Sequence, residues 1–278
     1  MEEQRVHRTL SADGTEIAGR VHGRGPALVF VHGIIGDGGL DWGPSVELLT
    51  DRFTCYLMST RGRDLSSDSP DHARHLLVQD VVAFTDSIGE PVGLIGYSSG
   101  GALAIAAATQ TEAVGAVAAY EPAFTDLLDD EERSVFGAGV ADAGEAVSQG
   151  RQADANRAFG KVVGNDEEFA MLETSGYFEA AAPCAPAMVQ DIIQGQQLQG
   201  PAVSDPTVLA GVTVPLLLLH GPRTAMSWFS RNVRHAAEHV ADARTREIPG
   251  VGHCAPMLQP EAVAAELETF FEHAHQQA

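Results

Sequence analysis

At 278 residues with 44% apolar side chains, the chain can bury one large core and still carry a sizeable insertion. Thirty-eight Asp and Glu against 17 Lys and Arg, with Lys161 the only lysine, give a formal charge of −21. Such a surface repels phosphate backbones and anionic bilayers, which excludes nucleic acid and lipid headgroups as favoured partners.

Cys55, Cys184 and Cys254 are odd in number and far apart, so neither a disulfide framework nor a cysteine metal site is expected. The charged start Met1-Glu2-Glu3-Gln4-Arg5 lacks an apolar signal segment, and no run approaches about twenty apolar residues. A cytoplasmic protein is the expectation.

In chain order, Arg5 to Leu10 and Thr15 to His22 flank Ala12-Asp13-Gly14, a hairpin signal. Ala27 to Val31 is a continuous apolar run, as expected of a strand covered on both faces. Phe53 to Met58, Val92 to Ile95, Val114 to Ala119, Val214 to Leu219 and Thr245 to Ile248 read as further strands. Between them, Leu77, Val81, Phe84 and Ile88 recur at helical spacing before Gly89, and Pro260 can open a helix whose Val263, Leu267, Phe270 and Phe271 share a face. Alternating strands and helices predict a doubly wound, mostly parallel sheet. The exception is Asp126 to Pro206, rich in Ala, Gly, Glu, Asp and Gln, with no strand pattern and with Leu127, Leu128, Phe136 and Phe159 suggesting several short helices. About 80 residues is long for a crossover, so a helical cap over the carboxyl ends of the strands is expected at 126–206, with the core formed by 1–125 and 207–278.

The chemistry centres on Gly96-Tyr97-Ser98-Ser99-Gly100, which joins the apolar run ending at Ile95 to a small-residue helical stretch, Gly101 to Thr109. Strand, Gly-x-Ser-x-Gly and helix is the context of a nucleophile elbow, a turn so tight that its serine is strained and its Oγ projects. Gly96 and Gly100 suit it because a Cβ at either place would strike the neighbouring strand or helix. A serine hydroxyl is a poor nucleophile at neutral pH and needs a base, a group orienting that base, and donors for the oxyanion. Among 11 histidines, His253 stands on the Gly-rich loop Pro249-Gly250-Val251-Gly252-His253 near the chain end and completes the order serine, acid, histidine. His32 and His220 end strands and read as structural; His72, His75, His235, His239, His273 and His275 lie on polar segments and read as surface. The loop His32-Gly33-Ile34-Ile35-Gly36 follows the first buried strand, so the Ile34 N–H, with that of Ser99, is the expected oxyanion hole.

With His32-Gly33, Arg61-Gly62, Gly96 to Gly100 and Gly252-His253 in place, the chain resembles the α/β-hydrolase family over its whole length apart from the cap. The resemblance implies an α/β fold with an eight-stranded sheet, a cap after the sixth strand, no cofactor, no metal and a Ser-His-acid triad. Two departures stand out. Asp64, in Arg61-Gly62-Arg63-Asp64-Leu65-Ser66, occupies a place where relatives usually have a second glycine. The Gly-x-x-Asp stretch that usually supplies the acid after the penultimate strand is here His220-Gly221-Pro222-Arg223-Thr224-Ala225-Met226, without a carboxylate. The best substitute is Glu121 in Ala119-Tyr120-Glu121-Pro122, at the end of the preceding strand, where zearalenone lactonases and certain haloalkane dehalogenases place the triad acid; Asp126 is the reserve.

Ile34, Tyr97, Phe124, Trp228 and Met257, with Trp42, are the expected pocket lining, suited to a small, neutral and largely apolar acyl substrate. The expected activity is cleavage of an ester or lactone through an acyl-enzyme on Ser98, with a small-molecule substrate and at most a second copy of the chain as partner. A nucleophilic serine disfavours dehalogenation, which needs Asp. Carbon–carbon bond hydrolysis and cofactor-free perhydrolysis are alternatives on the same scaffold, and a non-enzymatic binding protein is the alternative of another class.

Overall fold

The computed structural model describes residues 5–197 and 200–277. Eight strands form one sheet in the order β1-β2-β4-β3-β5-β6-β7-β8. They are β1 (Arg5–Leu10), β2 (Glu16–Gly23), β3 (Ala27–Val31), β4 (Thr54–Ser59), β5 (Val92–Tyr97), β6 (Val114–Tyr120), β7 (Leu216–His220) and β8 (Ala243–Glu247). β2 runs antiparallel to both β1 and β4, and every other pairing is parallel. β3, β5 and β6 are almost wholly buried, which explains why they read as continuous apolar runs rather than alternating ones.

Helices cover both faces. On one side lie α2 (Arg74–Asp86), α3 (Ser99–Ala107) and α10 (Ser227–His239), packed through Leu77, Val81, Phe84, Leu103 and Val233. On the other lie α1 (Gly38–Glu47), the short α11 (Ala255–Leu258) and α12 (Pro260–Gln277), packed through Trp42, Val263, Leu267 and Phe271. Pro260 opens α12 as its fixed φ and missing N–H favour.

The chain leaves β3 toward β4 on one side, then returns to place β5 on the other. That reversal opens a crevice at the carboxyl ends of β3 and β5, the position where open α/β sheets hold ligands.

Between β6 and β7 the chain is helical among the described residues: α4 (Asp130–Ser148), α5 (Gln152–Val163), α6 (Asp166–Ser175), α7 (Tyr177–Ala180), α8 (Ala185–Gly195) and α9 (Pro206–Leu209), with 3-10 turns at Thr125–Leu127 and Ala182–Cys184. α4 runs 19 residues, longer than the short helices its composition suggests. Its N-terminus is closed by a capping box in which Asp129 accepts from the Glu132 N–H (2.9 Å) and Glu132 accepts from the Asp129 N–H (3.1 Å). Its buried face is made of Phe136 with Gly139, Ala143 and Ala146, and the last three are small enough to let α5 approach closely. These helices share an apolar cluster with the core, built on Phe136, Phe159, Phe178 and Met188 together with Trp228 of α10.

Candidate active site

Ser98 sits between β5 and α3 at φ 54°, ψ −117°, outside the ordinary regions for a side chain with a Cβ. The surroundings hold it there. Its N–H donates to the Tyr120 carbonyl (2.9 Å), and its own carbonyl accepts from Gly101, Ala102 and Ala123 (3.0, 3.2 and 3.0 Å). A Cβ at Gly96 would lie 2.2 Å from the Gly100 carbonyl oxygen, and one at Gly100 would lie 2.3 Å from that of His32. Both glycines are required by close backbone approach.

The His253 Nε2 lies 3.2 Å from the Ser98 Oγ, and its Nδ1 lies 2.7 Å from the Glu121 Oε2. All three residues are buried. The Phe229 ring stacks on the imidazole at 3.8 Å between centroids and 21° between planes, fixing the ring orientation. The loop carrying the histidine is tied from two sides. The Tyr120 hydroxyl donates to the Gly252 carbonyl (2.6 Å), and the Cys254 N–H donates to Glu168 on α6 (2.7 Å).

Glu121 follows β6 with φ 44°, its N–H donating to the Leu219 carbonyl (2.9 Å). Its second carboxylate oxygen, Oε1, accepts from the Gly221 N–H (3.0 Å) and the Thr224 hydroxyl (2.5 Å). Thr224 stands at the last position of the stretch that reads Gly-x-x-Asp in relatives. There the segment carries hydroxyl and amide donors that hold a carboxylate arriving from the neighbouring strand. Asp126, the reserve acid, is bonded by the Ser204 hydroxyl instead.

Ile34 and Ser99 both line the cavity at Ser98, and the N–H of neither finds an acceptor among the described residues. The loop bearing Ile34 is braced by groups that spacing alone does not reveal. Arg63, fully buried, donates to the Ile34 carbonyl (3.0 Å) and the Thr60 hydroxyl (3.0 Å), and pairs with Asp191 on α8 (2.7 Å). His32 accepts the Thr60 N–H at Nε2 (3.1 Å), which leaves its proton on Nδ1, facing the Gly33 carbonyl (2.6 Å). Burial, with the Arg63 cation beside it, pushes the His32 pKa down to about 3.

Asp41 on α1 is wholly buried and accepts from the Gly33 N–H (2.8 Å) and the Tyr177 hydroxyl of α7 (2.6 Å). Burial raises its pKa from 3.8 to about 7, the two hydrogen bonds offsetting only part. The folded chain therefore keeps a proton that the unfolded chain releases above pH 3.8. The resulting stability is fully present below that pH and is lost as pH rises through about 7. In Asp41→Asn the amide oxygen still accepts from Gly33 and its NH₂ donates to Tyr177. Thermal melting across this range is expected to show a smaller fall in Tm with rising pH than the parent chain; equal slopes would place the titration elsewhere.

Several sequence expectations change. Phe124 lies in the core under α10, its carbonyl accepting the Trp228 Nε1–H (2.9 Å), and lines no cavity next to Ser98. Trp42 is equally enclosed, donating to the Val31 carbonyl (3.0 Å) with its ring against Phe30. Trp228 does line the larger of the two cavities beside Ser98, of about 80 Å³, together with Ile34, Leu103, Phe136 and Phe159. Tyr97 and Met257 line a smaller one between Ser98, His253 and Tyr177. His72 is not at the surface. It is buried between Asp191 (2.6 Å) and Asp68 (3.0 Å), whose carboxylates raise its pKa against the opposing effect of burial. His235 and His239 are half-buried on α10, His75 and His273 are exposed, and the His275 side chain lies outside the described residues. Asp64 adopts φ 44°, the left-handed conformation that explains the usual glycine, and its carboxylate pairs with Arg20 (2.6 Å).

Among the described residues no group of three or more His, Cys, Asp or Glu is placed to hold a metal ion, and no helix is long and apolar enough to cross a membrane.

Residues 28–266 match the alpha/beta hydrolase family. Over 94 residues the chain is 37% identical to N-formylmaleamate deformylase of Pseudomonas putida, covering 33% of this chain and 35% of that protein. Over 93 residues it is 33% identical to pyrrolizixenacetamide deacetylase of Xenorhabdus hominickii, covering 32% and 34%. The chain thus aligns with about a third of the length of each of these relatives. The solved structure of an alpha/beta hydrolase from Sphaerobacter thermophilus superposes with a TM-score of 0.75 at 25% identity, over 95% of this chain and 100% of that one.

Proposed function

The chain belongs to the alpha/beta hydrolase family, and from that premise we propose that it is a serine hydrolase that cleaves a carboxylic ester or lactone through an acyl-enzyme on Ser98. The observation that carries the reading is the hydrogen-bonded series Ser98 Oγ, His253 Nε2, His253 Nδ1, Glu121 Oε2, at 3.2 and 2.7 Å, with the serine strained and aimed at a cavity.

Ser98 attacks the carbonyl carbon while His253 takes the hydroxyl proton at Nε2. Glu121 holds the Nδ1 proton in place and stabilises the imidazolium that forms. The negative charge on the tetrahedral oxygen is met by the Ile34 and Ser99 N–H groups, each worth on the order of 3 kcal/mol to the transition state. Collapse expels the alcohol, protonated by His253. Water, deprotonated by the same nitrogen, then releases the acid. The helices of 126–206 act as the cap over the core of 1–125 and 207–278, and Phe136, Phe159 and Ile192 supply the apolar side of the cavity.

A second reading, hydrolysis of an amide by the same steps, is favoured by the similarity to the deformylase and the deacetylase. A fluorophosphonate probe is expected to label Ser98, with Ser98→Ala as the blank. A screen across aryl esters, lactones and N-acyl compounds then separates the bond classes. A folded protein left unlabelled at Ser98 would overturn the proposal.

A further inference from the structure

The larger cavity beside Ser98 is walled mostly by apolar side chains, with one guanidinium among them, that of Arg74 at the start of α2. Its Nη2 donates to the Thr125 hydroxyl (3.2 Å), and among the described residues it forms no ion pair. The chain's enclosed guanidiniums behave otherwise. Arg61 is clamped by Asp80 (2.6 Å) and Asp13 (2.8 Å), and Arg63 by Asp191 (2.7 Å). The carboxylate that acts on Arg74, Asp126, is bonded by the Ser204 hydroxyl, and Asp191, also on the cavity wall, is engaged by Arg63 and His72. Burial lowers the Arg74 pKa, and Asp126 offsets that only in part, so its charge is under-compensated where it stands. A planar fork of donors facing an apolar chamber binds a carboxylate well, because both oxygens are met at once and water is displaced from both ions.

We infer that the substrate of this site carries a carboxylate, which Arg74 receives while Ser98 attacks the acyl carbon. The inference rests on the serine-hydrolase reading and narrows its substrate from a neutral acyl compound to one with an apolar body and an acidic end. With a net charge of −21 the chain's outer field opposes anions, so the selectivity resides at Arg74 inside the cavity.

The test compares matched pairs of esters in the full-length protein. One pair places the charge on the acyl side (p-nitrophenyl hydrogen glutarate against p-nitrophenyl valerate), the other on the leaving group (p-acetoxybenzoate against phenyl acetate). The wild type is expected to show at least about a tenfold higher kcat/KM for the charged member of one pair. Arg74→Gln is expected to lower that charged-to-neutral ratio by roughly 10- to 100-fold, and Arg74→Lys to fall between. Because the ratio is taken within each variant, a general loss of activity cancels. A wild-type ratio at or below one in both pairs, or a ratio unmoved in Arg74→Gln, overturns the inference and leaves the hydrolase reading standing. No turnover together with an unlabelled Ser98 overturns both.

Discussion

Glu121→Gln is expected to lower kcat on any good substrate by roughly four orders of magnitude while the fold stays intact. The reason lies in which oxygen the amide can keep. Oε1 is held by two donors, the Gly221 N–H and the Thr224 hydroxyl, so the glutamine oxygen takes that place. Its NH₂ then faces His253 Nδ1, where the carboxylate oxygen stood. A donor there forces the imidazole proton onto Nε2, the atom that must be free to accept the Ser98 proton. The imidazolium that forms during attack also loses its counter-charge. Ser98→Ala should fall further, by roughly six orders of magnitude, and the double variant no further than Ser98→Ala alone, since the groups act as a unit. Steady-state kinetics with an aryl ester checks both. A loss below tenfold in Glu121→Gln would make Glu121 a structural neighbour of the histidine rather than its orienting acid.

Gly100→Ala is expected to destabilise the fold by at least about 3 kcal/mol, seen as a lowered urea midpoint, and Gly96→Ala by a similar amount. The new Cβ at Gly100 would meet the His32 and Val31 carbonyl oxygens at 2.3 and 2.5 Å. These are backbone atoms at the end of β3, where a flexible side chain cannot swing aside. β3 is buried on all five residues and paired on both edges, by β4 and β5, so relief must move the centre of the sheet. The same shift would displace the loop that carries the Ile34 N–H, so hydrolase activity should fall with stability. Gly137→Ala is the control. It lies exposed within α4 with nothing within 4 Å of its added Cβ, and should stabilise by about 0.5–1 kcal/mol. A Gly100→Ala chain as stable as the parent would mean that the elbow is looser than its contacts imply.

Much of the fold is legible in the sequence because the central strands are covered on both sides. Such strands must be apolar throughout, and Ala27 to Val31 or Val92 to Ile95 can be little else. The helical insertion is legible only in outline. Its longest helix buries Phe136 with Gly139, Ala143 and Ala146, and small residues give a weak periodic signal even though they set the closeness of packing. The same limit applies to the cavity. Phe124 and Trp228 are both large and aromatic near the expected pocket, yet one lies in the core and the other on the wall. That difference depends on the direction of a side chain, which hydropathy does not carry.

By itself, then, the sequence determined the alternation of strands and helices and the elbow pattern at Ser98, because tight turns and doubly covered strands admit few residue types; the family resemblance added the candidates His253, Glu121 with Asp126 in reserve, Ile34 and Ser99. Only the tertiary structure decided what surrounds them. It set Thr224 beneath Glu121, Phe229 against His253, Arg63 behind Ile34 and the Arg74 guanidinium in the cavity wall. Those contacts join residues 24 to 103 positions apart and follow from the way the segments beyond the strand ends pack on one another. Local sequence pattern does not encode contacts of that range.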